Sequence, residues 1–208
     1  MRKKHLILML LFLLFPVMSG VQLIAQQCNG NYLNVQGNKL YDSNGNQVRL
    51  TGVNWFGFET SQFIPHGLWA RDCKSMLQQI KDQGFNCIRI PWCNDMLAPD
   101  ATFNLNAYGA DPYTGVNPMN EEESTKSHPI EIMDIIVEWC QENNMKIVLD
   151  NHSRQHDGYM NELLWYTDET PESQWIADWV FLAERYKDYD AVIGMDLNNE
   201  PHGKYGNG

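Results

Sequence analysis

The sequence has few basic residues for its length, and this shortage limits the partners that it can bind. Lys and Arg together number 15 against 26 Asp and Glu, which gives a formal net charge of -11 at pH 7. Nucleic-acid binding depends on a surplus of Lys and Arg that neutralises phosphates. We therefore expect no nucleic acid among the partners of this protein.

The sequence also lacks the short motifs that bind nucleotides and metals. No GxGxxG or GKS/T loop follows the first predicted strand, so a nucleotide-binding fold loses its main support. Residues 42–46 resemble a calcium loop only faintly, because the required Gly and Glu positions are not filled. His152 and His156 are four residues apart but lie in a polar loop rather than on a helix. We predict no metal and no cofactor.

The cysteines show no CxxC spacing of the kind found in metal sites. They are Cys28, Cys73, Cys87, Cys93 and Cys140. Their odd number leaves at least one thiol unpaired, and the sequence specifies no disulfide pairing.

One long apolar run is present, and it lies at the amino terminus. Basic residues at 2–4 precede an apolar run at 6–18, and small residues form a cleavage site that ends at Ala25. This order is typical of a secretory signal peptide, and the run is shorter than the roughly 20 residues of a membrane span. We predict that residues 1–25 are a signal peptide and that the mature protein is secreted, free of the membrane, with a net charge of -14.

Short apolar runs rich in β-branched residues alternate with helical patterns along the rest of the chain. The predicted strands are 48–55, 86–92, 146–152 and 192–200. The helical patterns between them end at Gly84 or begin behind Pro129 and Pro171. Strands that alternate with helices imply a parallel sheet, either an open doubly wound sheet or an eight-fold barrel. An Asn44-Gly45 pair also predicts a tight hairpin before the first of these strands.

Polar residues collect at the carboxyl ends of the predicted strands, where barrel enzymes carry their catalytic groups. They are Asn54, Arg89, His152, Asn199 and Glu200. This distribution favours the barrel. The long segment 93–128 has little periodicity and would form either a groove wall above these strand ends or a solvated loop.

Glu200 is the candidate general acid. Pro201 disfavours a helical conformation for the residue before it, so we expect an extended backbone that aims Glu200 at the open end of the sheet. A half-buried carboxyl group near aromatic rings and other carboxylates stays protonated near neutrality and can protonate a leaving group. Such an acid suits glycoside cleavage, in which Asn199 can bind a sugar 2-hydroxyl. The alternative is a surface glutamate before a loop proline.

Arg89 and His152 are the other candidates for the site. Arg89 lies within an apolar run, so we expect its guanidinium to pair with a carboxylate, which is either catalytic or structural. His152 closes the third strand and is either a donor to a sugar hydroxyl or a structural histidine.

Six blocks of the sequence, in order, resemble the secreted endo-β-1,4-glucanases of glycoside hydrolase family five. The blocks are GVNWFGFET at 52–60, HGLW at 66–69, GFNCIRIP at 84–91, LDNH at 149–152, LLWYT at 163–167 and DLNNEPH at 196–202. The resemblance implies an α/β fold, the (β/α)8 TIM barrel. Residues 26–208 would be the N-terminal part of that catalytic domain, with an N-terminal hairpin and about four β/α units.

The resemblance also implies a reaction and a role for each matching residue. The family cleaves internal β-1,4-glucosidic bonds of cellulose or related β-glucans with retention of configuration. Glu200 would be the acid/base, Asn199 a substrate ligand, and Arg89 the charge that steadies the nucleophile, while His152 would contact sugar. The residues assigned to substrate binding are Trp69, Trp55, Trp92, Trp165 and His202. Trp69 also fits the apolar stripe of the first helix, and Trp139, Trp175 and Trp179 have helical register typical of a core.

Retaining cleavage requires a second carboxylate about 5 Å from the first. The family carries this nucleophile on its seventh strand, so we expect it beyond the end of this chain. The chain would then be an N-terminal fragment, inactive alone and with exposed strand edges. A downstream carbohydrate-binding module would also lie outside it. The alternatives are a β-mannanase or other β-glycanase, a non-catalytic carbohydrate-binding barrel, and an interaction fragment that self-associates.

Overall fold

The computed structural model describes residues 30–106, 113–158 and 161–202. The predicted signal peptide at 1–25 and Cys28 lie outside the described residues. Within the described ranges, no helix has both the length and the apolar character that a membrane crossing requires.

A small antiparallel sheet opens the described chain. Its strands are β1 (Asn34–Gln36), β2 (Lys39–Tyr41) and β3 (Gln47–Val48), in that order. Gly45 adopts a φ of 81° in the turn between β2 and β3, a conformation that glycine adopts readily. The Asp42 carboxylate accepts hydrogen bonds from the side chain and backbone of Asn46, and these bonds lower the pKa of Asp42. The predicted Asn-Gly hairpin is confirmed.

The main sheet is parallel, as the alternation of strands and helices predicted. Its strands are β4 (Gly52–Asn54), β5 (Cys87–Cys93), β6 (Lys146–Ser153) and β7 (Val192–Asp196), paired in chain order. Three of the four strands end near their predicted positions. The fourth ends at Asp196 rather than at Glu200, because its pairing with β6 stops at the Asp150–Asp196 pair.

Three helices connect the parallel strands. They are α1 (Cys73–Asp82), α2 (Pro129–Glu142) and α3 (Glu172–Tyr186). The Asp72 side chain caps α1 by accepting from Ser75 N–H. Pro129 occupies the first turn of α2, as expected, and Glu131 accepts from the backbone N–H of His128 in a capping box. After α1 the chain reverses at Gly84, with a φ of 88°.

The core lies where the helices pack on β5 and β6, the two central strands. Both strands are buried along most of their length, as expected for parallel strands covered on both faces. Trp139 and Trp179 are buried in this core, and Trp175 packs against it, which confirms the prediction for these three rings. All four described cysteines are buried free thiols, and burial raises the pKa of Cys140 to about 12.

The segment between β5 and α2 is packed against the body of the protein, so the solvated-loop alternative is wrong for its described part. It contains two short 3₁₀ helices, Asn94–Leu97 and Glu123–Thr125. Glu123 is buried and accepts from the backbone N–H of Cys73 at the start of α1, at 2.5 Å. The side chain of Asn120 donates to Leu68 O at 2.8 Å. Residues 107–112 of this segment lie outside the described residues.

Candidate active site

Arg89 is the centre of a charged cluster at the carboxyl end of the parallel sheet. Its Nη2 lies 3.0 Å from Asp150 Oδ1 and donates to Asp196 Oδ2 at 2.9 Å and to Asn199 Oδ1 at 3.0 Å. Asp150 and Asp196 are register partners on β6 and β7, so their like charges stand side by side. The guanidinium between them offsets the repulsion.

The structure identifies the carboxylates that pair with Arg89, which the sequence did not specify. They are Asp150 and Asp196, and neither was a candidate site residue. Asp196 is the last residue of β7, and its side chain is 39% exposed. Asp150 could have been identified from the sequence, because it lies in the apolar run that ends at His152. A buried acid in such a run requires a partner.

His152 joins the same cluster through Asp150. His152 Nδ1 lies 2.6 Å from Asp150 Oδ2, and Nε2 lies 3.5 Å from Asn199 Nδ2. Asp150 is fully buried. It orients the imidazole through Nδ1, so that Nε2 faces Asn199. The structure therefore brings together Arg89, His152 and Asn199, three of the four residues that we placed at the catalytic centre.

Glu200, the fourth residue, differs from its predicted state in two ways. Its backbone has a φ of 41°, in the left-handed region, and not the expected extended conformation. Its side chain is exposed and not half-buried. Both differences arise because β7 ends at Asp196 and the chain then turns, with Asn199 N–H donating to Asn151 O at 3.0 Å. Glu200 follows Asn199 directly, and His202 Nδ1 lies 2.8 Å from Glu200 O.

A buried carboxyl group that sequence reasoning missed lies in the loop after β4. Glu59 Oε2 accepts from the backbone N–H of Gly57 at 2.7 Å. Burial raises the pKa of Glu59, the Gly57 N–H and the His152 charge oppose this rise, and the Asp150 charge adds to it. Gly57 has a φ of 140°, and a Cβ there would lie 2.1 Å from Ile64 O. The loop therefore folds tightly on itself, because the backbone of residues 64–66 leaves no space for a side chain at Gly57.

Two tryptophans that we assigned to substrate binding are core residues. Trp92 has none of its surface exposed and packs edge-to-face on Trp179, with ring centroids 5.0 Å apart. Trp55 is 6% exposed, and its Nε1 donates to His66 O at 2.9 Å. Neither ring presents a face to a sugar in this structure. The assignment failed because both rings lie near strand ends but point into the packed interior.

Trp69 and Trp165 remain accessible. Trp69 lies in a turn ahead of α1, so its placement on the helix stripe was wrong, and its ring meets His66 and Tyr113 edge-on. These rings and Gln62 line a small cleft. Trp165 is 38% exposed, and its Nε1 donates to Glu172 Oε1 at 2.9 Å. Sugar binding by Trp69, Trp165 and His202 stays a prediction.

Within the three described ranges, no group of three or more His, Cys, Asp or Glu side chains is arranged to hold a metal ion. The polar groups at this end of the sheet are carboxylates, a guanidinium, an imidazole and amides. Such groups can donate and accept protons and bind hydroxyl groups.

Comparisons with known proteins agree with this arrangement. Residues 41–207 match the family described as Cellulase (glycosyl hydrolase family 5). An endoglucanase of Paenibacillus polymyxa is 41% identical over 174 residues, which are 83% of this chain and 41% of that protein. Endoglucanase G of Acetivibrio thermocellus is 40% identical over 194 residues, which are 86% of this chain and 34% of that protein.

Solved structures of an endoglucanase and an endocellulase also superpose on this chain. The catalytic domain of the major endoglucanase from Xanthomonas campestris pv. campestris superposes with a TM-score of 0.70 at 35% identity, covering 83% of this chain and 46% of that one. A complex of an endocellulase from Pyrococcus horikoshii with cellotetraose superposes with a TM-score of 0.71 at 34% identity, covering 85% and 45%. The chain spans less than half the length of each of these relatives.

Proposed function

Because the chain belongs to the cellulase family, glycosyl hydrolase family 5, we propose that the protein is an endoglucanase that hydrolyses internal β-1,4-glucosidic bonds of cellulose or a related β-glucan. Its four-stranded parallel sheet is part of the (β/α)8 barrel of this family. The cluster lies at the carboxyl ends of these strands, which is the end that carries catalytic groups in barrel enzymes.

The observation that carries the proposal is the position of Asn199. Its Oδ1 accepts from Arg89 at 3.0 Å, and its Nδ2 lies 3.5 Å from His152 Nε2. The arginine thereby sets the direction of the amide, so that the N–H donors point away from it. An amide held in this way is suited to a sugar 2-hydroxyl, an interaction that strengthens as the oxocarbenium ion develops. Glu200 is the next residue along the chain.

In the proposed reaction, Glu200 protonates the glycosidic oxygen as the bond to the anomeric carbon breaks. A carboxylate nucleophile bonds to that carbon, and Glu200 then deprotonates the water that releases the sugar. We propose that a region outside this chain supplies the nucleophile. Among the carboxylates near the cluster, Asp150 is fully buried, Glu59 is buried and bonded to Gly57, and Asp196 is paired with Arg89. The exposed side chain of Glu200 is open to a polymer chain.

The proposal extends to the substrate and the compartment. A cellotetraose complex exists for the Pyrococcus horikoshii relative, which supports a β-glucan chain as the ligand here. Residues 1–25 begin with basic residues, continue with an apolar run and end with small residues, and this order supports secretion. Both inferences concern the whole protein, of which the described residues form one part.

The test uses a full-length protein that contains this chain, assayed on carboxymethyl cellulose, mannan and xylan. Glu200→Gln keeps the size of the side chain but cannot donate an acidic proton, so we expect kcat on the cellulose derivative to fall by about 10² to 10⁴. Cellotetraose affinity, measured by calorimetry, should stay close to that of the wild type. Glu138→Gln, an exposed site on α2, is the matched control.

Three results would contradict this proposal. Unchanged turnover in Glu200→Gln would remove the acid from its role. Cleavage of mannan in preference to the cellulose derivative would identify a mannanase, and cellotetraose binding without any hydrolysis would identify a binding protein.

A further inference from the structure

A second polar group, separate from the Arg89 cluster, lies beside the segment that carries Glu200. Its centre is Arg154, which follows β6 directly and has a side chain only 2% exposed. Arg154 Nη1 donates to Asn198 Oδ1, and Arg154 Nε donates to Glu162 Oε2 at 2.8 Å. The guanidinium therefore joins the loop after β6 to the segment after β7.

Glu162 holds Arg154 in one orientation. Its side chain is 5% exposed. Besides Arg154 Nε, its carboxylate accepts from the backbone N–H groups of Arg154 at 2.6 Å and Gln155 at 2.8 Å. A carboxylate with this many charge-assisted partners keeps a buried guanidinium fixed. The loop packs tightly against Glu162, because a Cβ on Gly158 would lie 2.4 Å from Glu162 Oε1.

The segment 197–200 has left the sheet, so it requires other contacts to define its path. The last register pair between β6 and β7 is Asp150–Asp196. Beyond it, Asn199 N–H donates to Asn151 O at 3.0 Å, and Asn198 is held by Arg154. Glu200 follows with a φ of 41°. A non-glycine residue keeps such a conformation only when its surroundings hold it there.

We propose that Arg154 is a positioning residue for the general acid. It holds Asn198 through one nitrogen and is itself oriented by Glu162, so that the turn of 197–200 presents Glu200 to the glycosidic oxygen. Arg154 is buried and acts through Asn198 without touching the sugar. This inference rests on the proposed role of Glu200.

The test separates a misplaced acid from a general loss of structure by changing the leaving group. Dinitrophenolate leaves without protonation, whereas phenolate requires the acid. We therefore compare kcat/KM for 2,4-dinitrophenyl and phenyl β-cellobioside in a full-length protein that contains this chain. The variants are Asn198→Ala, which leaves the Arg154–Glu162 pair intact, and Arg154→Lys, whose single ammonium cannot reproduce both contacts.

We expect kcat/KM for the phenyl glycoside to fall by up to about 10²-fold in both variants, because small displacements of a catalytic group have effects of this size. The value for the dinitrophenyl glycoside should stay near that of the wild type. Arg71→Lys is the control, since the Arg71 side chain, within the described ranges, donates only to Ser75 and Gln79 on the exposed face of α1. It should change neither value.

Equal losses on the two substrates, or no loss on either, would overturn the inference, because a structural defect slows both reactions alike. Glu200→Ala tells the two proposals apart. If Glu200→Ala has the strong leaving-group dependence and the Arg154 and Asn198 variants do not, only the inference fails. If Glu200→Ala lacks that dependence, the acid assignment fails and the inference fails with it.

Discussion

Each end of β6 lies beside a cation that is paired with a buried acid, Lys146 of β6 itself at the start and Arg89 of the neighbouring β5 towards the other end. The two groups are built differently. At the start of the strand, Lys146 Nζ donates to Asn31 O at 2.9 Å, to Asp190 O at 2.9 Å and to Asp190 Oδ1 at 3.1 Å. At the opposite end, Arg89 contacts Asp150, Asp196 and Asn199 through Nη2 alone.

The difference lies in how many hydrogen-bond donors are used. An ammonium group has three N–H donors, and Lys146 uses all three with a side chain that is 6% exposed. The Arg89 side chain is 28% exposed, and its Nε and Nη1 make no hydrogen bond to the described residues. A saturated group serves stability, whereas an unsaturated group at the carboxyl end of a barrel sheet can respond to a ligand.

The largest expected effect comes from Arg89→Lys in a full-length protein that contains this chain. A single ammonium cannot contact Asp150, Asp196 and Asn199 as the guanidinium does. The direction of the Asn199 amide is then lost, and we expect kcat on carboxymethyl cellulose to fall by about 10²-fold or more. Initial-rate assays check this. Wild-type turnover in this variant would show that the Arg89 cluster, like the Lys146 group, does not contribute to catalysis.

Lys146→Met should show the opposite pattern. It leaves the Asp190 carboxylate buried without its cation, and we expect the free energy of unfolding to fall by about 3–5 kcal/mol. Urea denaturation measures this loss, while kcat of the folded protein should stay unchanged. The double variant Lys146→Met, Asp190→Asn removes the unpaired charge and should recover part of the stability. A large loss of kcat without a loss of stability would contradict the structural role.

The same contrast between a closed interior and an open end applies to two tryptophans. Trp165 is partly exposed, so Trp165→Ala should raise KM for cello-oligosaccharides by a factor of about 2 to 10, which corresponds to one aromatic contact. Trp92→Phe is the control, because Trp92 is fully buried and its replacement should lower the unfolding temperature without changing KM. A rise of KM in Trp92→Phe alone would reverse our correction of that residue.

The smallest effect is a difference in pH dependence between the two ends. Burial raises the pKa of Glu59, so its contribution to stability is present below its unfolded pKa and is lost as the pH rises through its folded pKa. At the other end, burial alone would raise the pKa of Asp190, but hydrogen bonds from Asn31 N–H and Lys146 lower it. Its contribution is present above the unfolded pKa and is lost as the pH falls through the folded pKa.

Two isosteric variants measure this difference. Glu59→Gln should be more favourable to stability, relative to the wild type, at neutral pH than at acidic pH. Asp190→Asn should be most harmful at neutral pH and less harmful under acidic conditions. Urea denaturation across this pH range provides the comparison, and parallel pH profiles for both variants would show that the two carboxyl groups do not differ.

Much of the fold could be predicted because periodicity reports burial locally. The helical spacing behind Pro129 and Pro171 and the apolar runs of β5 and β6 were sufficient to place those elements. The prediction of β7 extended too far because the residues after Asp196 continue a strand-like pattern. Only its lateral pairing with β6, which stops at Asp150–Asp196, shows where the strand ends.

The candidate site could be predicted in part for a similar reason. His152 lies at the end of β6 and Asn199 lies just beyond the end of β7, and parallel strands bring such residues to one edge. Arg89 is the third residue of β5, not a strand-end residue as expected, and its long side chain reaches Asn199. The positions of Trp55 and Trp92 follow the same rule, yet their rings point into the core. The sequence gives the distance of a residue from its strand end but does not give the direction of a ring in a packed interior.

The sequence by itself determined the alternation of strands and helices, the end of the sheet at which polar groups collect, and three members of the cluster. The tertiary structure decided that Arg89 pairs with Asp196, 107 residues away along the chain, that Glu200 adopts a left-handed conformation, and that Arg154 reaches Asn198. These contacts depend on the lateral register of parallel strands and on the loops that leave them. Register is set by the packing of the whole sheet, because no local pattern of residues records which side chains will face each other across it.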